Sequence, residues 1–170
     1  MNQVIKVVET ANSPGDVLSD ACFDVDVESF NRAIEGAVYG RRFTRHLLIK
    51  LDYLLQDHSH RMSLETLSVE HVLPQNPEAT SQWYQDFNEE QREEWTHRLG
   101  NLVLVTMRKN TSLGRLDYID KKARYFEKRI STCPNSLRVL TDNTQWTLAE
   151  LSANHQLVLQ KLRTHYGTTA

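Results

Sequence analysis

Apolar residues recur every three or four positions along much of the chain, which is the spacing of helices with one buried face. Two such runs lie within residues 23–58, and Gly40 between them suits a helix end. We therefore predict a helical hairpin there, packed against the rest of the domain. Its apolar positions are Phe23, Val27, Phe30, Ile34, Ala37, Val38, Phe43, Leu47, Leu48, Leu51, Leu54 and Leu55.

A further apolar stripe predicts a C-terminal helical region within residues 136–166. Thr147 and Glu150 have the spacing of a capping box, and we expect Trp146 to anchor that helix start. Asn88 and Gln91 have the same spacing and predict another helix start in the middle of the chain. The aromatic residues just before it are expected to pack onto the core, with base stacking as the alternative; they are Trp83, Tyr84 and Phe87.

Two shorter segments have the composition of β-strands. The first lies within residues 68–75 and is stopped by Pro74, which has no N–H for a sheet. The second, residues 102–105, is apolar and β-branched, and it follows a predicted turn at Gly100 and Asn101. A helix with a break at Gly114 is expected over residues 106–131. A hairpin backed by a helix within residues 67–130 makes the predicted fold class α+β and mostly helical.

Length and composition fit an intracellular globular domain. The chain has 170 residues, enough for one domain with its own core. Cys22 and Cys133 lie far apart without a C-x-x-C pattern, so we expect no zinc ribbon and a reducing, cytoplasmic location. No apolar run approaches the roughly 20 residues of a membrane span, and no secretion signal is evident, so no membrane partner is expected.

The ends of the predicted core are less informative. Within residues 1–22, positions 3–9 suit a short strand or an extended arm, so we predict an N-terminal arm there. Residues 23–170 form the predicted domain.

His58 and His60 lie before the first strand without the paired ligands of a zinc site, so a solvated loop is expected, with half a zinc site as the alternative.

The formal net charge of −2 does not favour general binding to nucleic acid, because phosphate binding depends on Lys and Arg. Basic residues are nevertheless clustered after the second strand. Such a face is usually only solvated, but Lys and Arg side chains of this kind can also contact the phosphate backbone of a nucleic acid. The residues predicted to contact DNA are Arg108, Lys109, Lys121 and Lys122.

The residues around the predicted hairpin suit phosphodiester hydrolysis. Glu70 and His71 are adjacent at the strand end, although a bend is needed for both to reach one site because strand neighbours point to opposite faces. Mg²⁺ prefers oxygen ligands and keeps several waters, so one carboxylate, one amide oxygen and a phosphate suffice. His71, left off the metal, can take a proton from water. Taken singly, these residues also suit an ordinary strand end, turn or helix cap.

These segments together resemble the HNH (ββα-metal) nucleases. The likeness is to the H-x-x-P variant found in the C-terminal domain of GmrSD-type modification-dependent restriction enzymes and related phage-defence proteins. It rests on VEHVLPQNP at residues 69–77, RLGNLVL at residues 98–104, and Lys109 with Asn110. The nine-residue step from Asn101 to Asn110 is also similar to the HNH domain of RNA-guided CRISPR nucleases.

The resemblance implies a role for each residue. Glu70 and Asn110 are the implied ligands of a divalent metal, Mg²⁺ or alternatively Mn²⁺. His71 is the implied general base, and Asn101 braces the hairpin loop and orients that base. Two departures are that Glu70 stands where many HNH enzymes have Asp or His, and Asn110 replaces the final His.

The resemblance also implies an activity and partners. The implied activity is metal-dependent cleavage of DNA in restriction or antiviral defence, either as a nickase or through a homodimer. A preceding regulatory or DNA-sensing domain is the other implied partner, and the resemblance thus implies that the arm at residues 1–22 is the boundary with a larger protein. The alternative function is a non-catalytic module that keeps the fold and docks DNA or another protein.

Overall fold

The computed structural model describes residues 2–56, 66–127 and 133–168. Helices dominate these residues, and their β-structure is one antiparallel pair of strands, which confirms the predicted mostly helical α+β fold. The elements are α1 (Asn2–Thr10), α2 (Pro14–Leu18), α3 (Val27–Glu35), α4 (Thr44–Leu55), β1 (Leu67–His71), α5 (Trp83–Asp86), α6 (Glu89–Trp95), β2 (Leu102–Thr106), α7 (Met107–Leu113), α8 (Tyr118–Phe126), α9 (Pro134–Asp142) and α10 (Leu148–Tyr166), with 3-10 turns at Ala21–Phe23 and Leu99–Asn101.

Strand β2 lies between two hydrophobic cores, which explains its uninterrupted apolar sequence. Successive strand side chains point to opposite faces. Leu102 and Leu104 accordingly pack into a core formed with helices α3, α4 and α10. Val103 and Val105 pack into a second core that contains large aromatic side chains of the middle and C-terminal segments. The buried aromatic residues of that second core are Trp83, Phe87, Tyr118, Tyr125 and Trp146.

The predicted hairpin and its helix are both present. In the β1–β2 pairing Glu70 faces Val103 and His71 faces Leu102, so His71 is the last paired residue of β1. The side chain of Thr106 caps α7 by accepting a hydrogen bond from the Lys109 N–H. Helices α7 and α8 are separate, and Gly114 between them has a φ of +45°, a conformation that favours glycine.

Both predicted capping boxes are confirmed. Asn88 with Gln91 begins α6, and Thr147 with Glu150 begins α10. Trp146, two residues before α10 begins, is buried and its ring stacks on Tyr118.

The N-terminal region differs from the expectation. Residues 3–9 lie in helix α1 rather than in a strand or extended arm. The first helix of the predicted hairpin begins at Val27, and Phe23 lies in a 3-10 turn with 45% of its surface exposed. Of the apolar positions predicted for this helix, Phe30 and Ile34 pack into the hydrophobic core, whereas Phe23 and Val27 do not.

Two further predictions concern the loop before β1 and membrane-spanning helices. The loop with His58 and His60 lies outside the described residues. Among the helices that the structure does describe, none is both long and apolar enough to cross a membrane.

Candidate active site

Glu70, His71 and Asn110 line one open cleft of about 380 Å³ beside the end of β1. Glu70 and His71 are the last two residues of β1, and the chain bends directly after them at Val72 and Leu73. Asn110 comes from α7, which packs against β1. The fold therefore brings together three of the four side chains predicted from the sequence to perform chemistry.

Asn101 lies under this cleft and braces the bend after His71. Its side chain is fully buried, and its Oδ1 accepts a hydrogen bond from the Leu73 N–H at 2.7 Å. Its Nδ2 donates to Leu73 O at 2.8 Å and to Thr96 O at 2.9 Å. The backbone of Asn101 adds another bond, from the Val72 N–H to its carbonyl at 3.0 Å. One amide thus holds both sides of the β1–β2 connection in register.

The residue before Asn101 is fixed by helix α10. The Gly100 N–H donates to His155 Nδ1 at 3.1 Å, and Asn154 Nδ2 donates to Gly100 O at 2.6 Å. A Cβ atom at position 100 would lie 2.5 Å from the Cβ of His155, so this close packing requires glycine. His155 is therefore a packing residue.

The amide of Asn110 is oriented by the strand it packs on. Its Nδ2 donates to Ser68 Oγ at 2.8 Å and to Val69 O at 2.7 Å. Since both bonds use the nitrogen, the oxygen of the amide is left as the side-chain acceptor. Within residues 2–56, 66–127 and 133–168, no group donates a hydrogen bond to that oxygen.

Glu70 is paired with a buried lysine. Lys121 Nζ lies 2.6 Å from Glu70 Oε1 and donates a second bond to His71 O at 2.7 Å. Glu70 and Lys121 are only 6% and 2% exposed. Burial raises the pKa of the Glu70 carboxyl, and the positive charge of Lys121 limits that rise. The pair therefore fixes the position of the Glu70 carboxyl group at the cleft wall.

Lys121 is buried, whereas the sequence predicts it on an exposed basic face. Lys121 lies on the same face of α8 as Tyr118 and Tyr125, three residues before it and four after it, and this face packs inward. Its ammonium is directed to Glu70 and not to solvent, so the structure gives it no surface on which to meet a phosphate.

The other residues predicted to contact DNA lie closer to solvent. Lys109 Nζ donates to the carbonyls of residues 124, 125 and 127 at the end of α8, at 2.6 to 2.9 Å. Lys122 Nζ donates to Asn143 O at 2.7 Å. Arg108 is exposed on α7. DNA contact by these residues stays a prediction.

His71 is 6% exposed and lies among two other rings. Its Nε2 is 3.4 Å from His97 Nδ1, and the Tyr39 ring meets it edge-on with 4.3 Å between centroids. Burial, followed by the effects of His97 and Lys121, lowers the pKa of His71 to about 3. The imidazole is therefore neutral near pH 7, and one of its nitrogens carries a lone pair.

Sequence reasoning did not single out Tyr39 or His97. They lie 58 residues apart in the chain, and a backbone bridge between Ala37 and Arg98 joins the two segments. His97 comes directly before the RLGN segment at residues 98–101, and this position is the one sequence signal that could have indicated it as a site residue. Tyr39 carries no local signal beyond its position at the end of a helical stripe.

The donor atoms at the cleft constrain what it can bind. Among the described residues, no group of three or more His, Cys, Asp and Glu side chains is arranged to hold a metal. A cation here would depend on the mixed set of the Glu70 carboxylate and the Asn110 amide oxygen, completed by water or phosphate oxygens. This is an oxygen-rich set of the kind that Mg²⁺ prefers.

The residues that line this cleft lie within a segment that matches a known protein family. Residues 24–161 match the family described as GmrSD restriction endonucleases, C-terminal domain. The matched segment covers well over half of the chain and contains every residue named above at the cleft. Comparison with curated proteins found no match.

Proposed function

The chain belongs to the family of GmrSD restriction endonuclease C-terminal domains, and we propose that it is a metal-dependent DNA endonuclease of the HNH type. In this proposal it hydrolyses phosphodiester bonds with His71 as the general base, as the effector domain of a restriction or antiviral system. The observation that carries the proposal is the convergence of Glu70, His71 and Asn110 on one open cleft.

His71 has the protonation state that a general base requires. Its lowered pKa keeps the ring neutral at physiological pH, so a nitrogen can accept a proton from the attacking water. A phosphate anion in the cleft favours the imidazolium form and makes the ring more basic.

Glu70 and Asn110 are the residues that would hold a divalent cation. The fit rests on their atoms: Asn110 uses its nitrogen on Ser68 and Val69, which leaves its oxygen, and Lys121 takes only Oε1 of Glu70. When bound, Mg²⁺ or Mn²⁺ supplies positive charge that stabilises the negative charge developing on the phosphate and on the leaving oxygen.

The remaining residues hold these groups in position. Lys121 fixes the Glu70 carboxylate from beneath and also binds His71 O, so that one ammonium supports both residues. Asn101 fixes the bend after His71. In this proposal neither contacts the substrate.

Two exposed arginines are suited to contact the DNA backbone. Arg115 lines the cleft and is paired with Glu78 at 2.9 Å, in an ion pair whose side chains are both more than half exposed. Such surface pairs contribute little stability and can exchange for a phosphate. Arg108 lies on α7, the same helix as Asn110.

One catalytic set per chain cuts one strand, so double-strand cleavage requires two copies or two events.

A plasmid nicking assay tests the proposal. The protein is incubated with supercoiled plasmid and Mg²⁺ or Mn²⁺, alongside the variants His71→Ala and Asn110→Ala and an EDTA control. The matched control is His165→Ala, which removes an exposed imidazole on α10. We expect the parent and the control to nick, and the two site variants to lose at least roughly 100-fold in rate.

Two results would count against this function. If His71→Ala cuts as well as the parent, His71 is not the base. If the parent binds DNA but does not cut with either metal, the non-catalytic docking module becomes the better description.

A further inference from the structure

We infer that His97 is a positioning residue for His71, which selects the imidazole tautomer whose Nδ1 can accept a proton. This inference rests on the proposed function, because it concerns how the general base is prepared. It is carried by the ring geometry around His71 and by the way His97 itself is fixed.

His97 contacts a specific nitrogen of His71. The His71 Nε2 to His97 Nδ1 distance is 3.4 Å, and the two ring planes are inclined at 78°. In the part of the chain that the structure describes, no other group hydrogen-bonds to the imidazole of His71. His71 also lines the cleft. Since Nε2 faces His97, we assign Nδ1 as the nitrogen that meets a water molecule there.

The backbone and Tyr39 hold His97 in place. The Val38 and Tyr39 N–H groups both donate to His97 O, at 2.9 and 3.2 Å. The Tyr39 ring lies nearly parallel to the His97 ring, at 10° and 5.4 Å between centroids. It also meets His71 edge-on at 69°. Each ring of this Tyr39–His71–His97 cluster therefore contacts the other two.

The chemical consequence concerns which nitrogen of His71 carries its proton. A neutral imidazole has one N–H donor and one acceptor nitrogen. When His71 Nε2–H donates to His97 Nδ1, the lone pair of His71 is on Nδ1. Nδ1 then takes the proton of the attacking water, and the Nε2–H bond to His97 is kept in the imidazolium that forms. No proton has to pass to His97.

The variants His97→Ala and His97→Asn test this role. Asparagine can place its Oδ1 near the position of the imidazole Nδ1 and so keep an acceptor for His71. We expect His97→Ala to lower kcat for plasmid nicking roughly 10- to 100-fold, the usual effect of losing a group that orients a site residue. KM for DNA should stay within about twofold, and His97→Asn should recover most of the rate. His165→Ala is the matched control.

A double variant shows whether His97 acts through His71. In a His71→Ala background, His97→Ala should cause no further loss of the residual rate. The inference is overturned if His97→Ala behaves like His165→Ala. It is equally overturned if His97→Ala lowers the residual rate of His71→Ala as much as it lowers the parent rate.

A spectroscopic measurement separates this inference from the proposed function. If the parent protein does not nick DNA, the proposed function fails, and the tautomer is still measurable by ¹⁵N NMR of histidine-labelled protein near pH 7. The inference predicts a His71 ring protonated at Nε2, with that preference lost in His97→Ala and kept in His97→Asn. A His71 ring protonated at Nδ1 in the parent would overturn it.

Discussion

Lys121 Nζ lies 2.6 Å from Glu70 Oε1 in the protein interior, where both side chains are buried. Removing two opposite charges from water costs free energy that their attraction only partly offsets, so a buried ion pair is poor evidence of added stability. Its value here is positional. The same ammonium binds His71 O, and the pair thus joins α8 to the strand end that carries both proposed site residues.

Replacing one member of this pair should be costly. Lys121→Met leaves the Glu70 carboxylate buried without a partner, and we expect the free energy of unfolding to fall by roughly 3 to 5 kcal/mol. Urea denaturation measures this loss. The control on the same helix is Lys122→Met, whose ammonium bonds to the Thr141 and Asn143 carbonyls near the surface and should cost about 1 kcal/mol or less. Equal stability of the two variants would contradict a buried charge pair.

Gly100→Ala should disturb the packing between the Leu99–Asn101 turn and α10. The added Cβ would lie 2.5 Å from His155 Cβ and 2.6 Å from His155 Cα, and neither backbone can easily yield. Overpacking of this kind costs about 1 to 3 kcal/mol. The control is Gly36→Ala, where the nearest atom is 3.9 Å away. A thermal unfolding curve for Gly100→Ala that matches Gly36→Ala would mean that α10 does not contact position 100 so closely.

A divalent cation should stabilise the protein through Glu70 and Asn110. A ligand present at 100 times its Kd stabilises the folded state by about 2.7 kcal/mol, which is roughly 5 to 10 °C in Tm for a protein of this size. We expect Mn²⁺ to raise Tm in the parent and in His165→Ala but not in Asn110→Ala. A rise that persists in Asn110→Ala would place the cation elsewhere. This measurement does not depend on cleavage.

Asp52 should make stability depend on pH. Its Oδ1 accepts a hydrogen bond from the Asn135 N–H at 2.7 Å, at the start of α9, while Oδ2 has no partner among the described residues. Burial raises the pKa of Asp52 from 3.8 to about 7. The folded state therefore keeps this proton longer than the unfolded state does. Its stabilising effect is complete below about pH 4 and is lost as the pH rises towards 7.

Asp52→Asn tests this effect, because the amide can still accept the Asn135 N–H but cannot ionise. Each pKa unit corresponds to about 1.4 kcal/mol. The free energy of unfolding of Asp52→Asn relative to the parent should accordingly increase by roughly 2 to 4 kcal/mol between pH 4 and pH 8. Urea denaturation at both pH values measures the difference. A difference that is independent of pH would show that Asp52 titrates normally in the folded protein.

Much of the architecture follows from the order of residues. The period of the apolar positions predicts α3, α4 and α10, and the capping residues at Asn88 and Thr147 mark where helices begin. These signals work because a helix or strand is stabilised by groups only a few residues apart. The HNH-like segments likewise indicate Glu70, His71 and Asn110, which line one cleft.

The surroundings of those residues were decided by the tertiary structure alone. Lys121 belongs to a run of basic residues, and its sequence gives no sign that a glutamate 51 positions earlier would be its partner. Tyr39 and His97 reach His71 only because the backbone joins residues 37 and 98. Sequence periodicity tells which face of an element is buried. It does not tell which polar group from a distant part of the chain will contact a given side chain, since that depends on how the helices and the hairpin pack together. The contacts of His71 with Lys121, Tyr39 and His97 are of this kind.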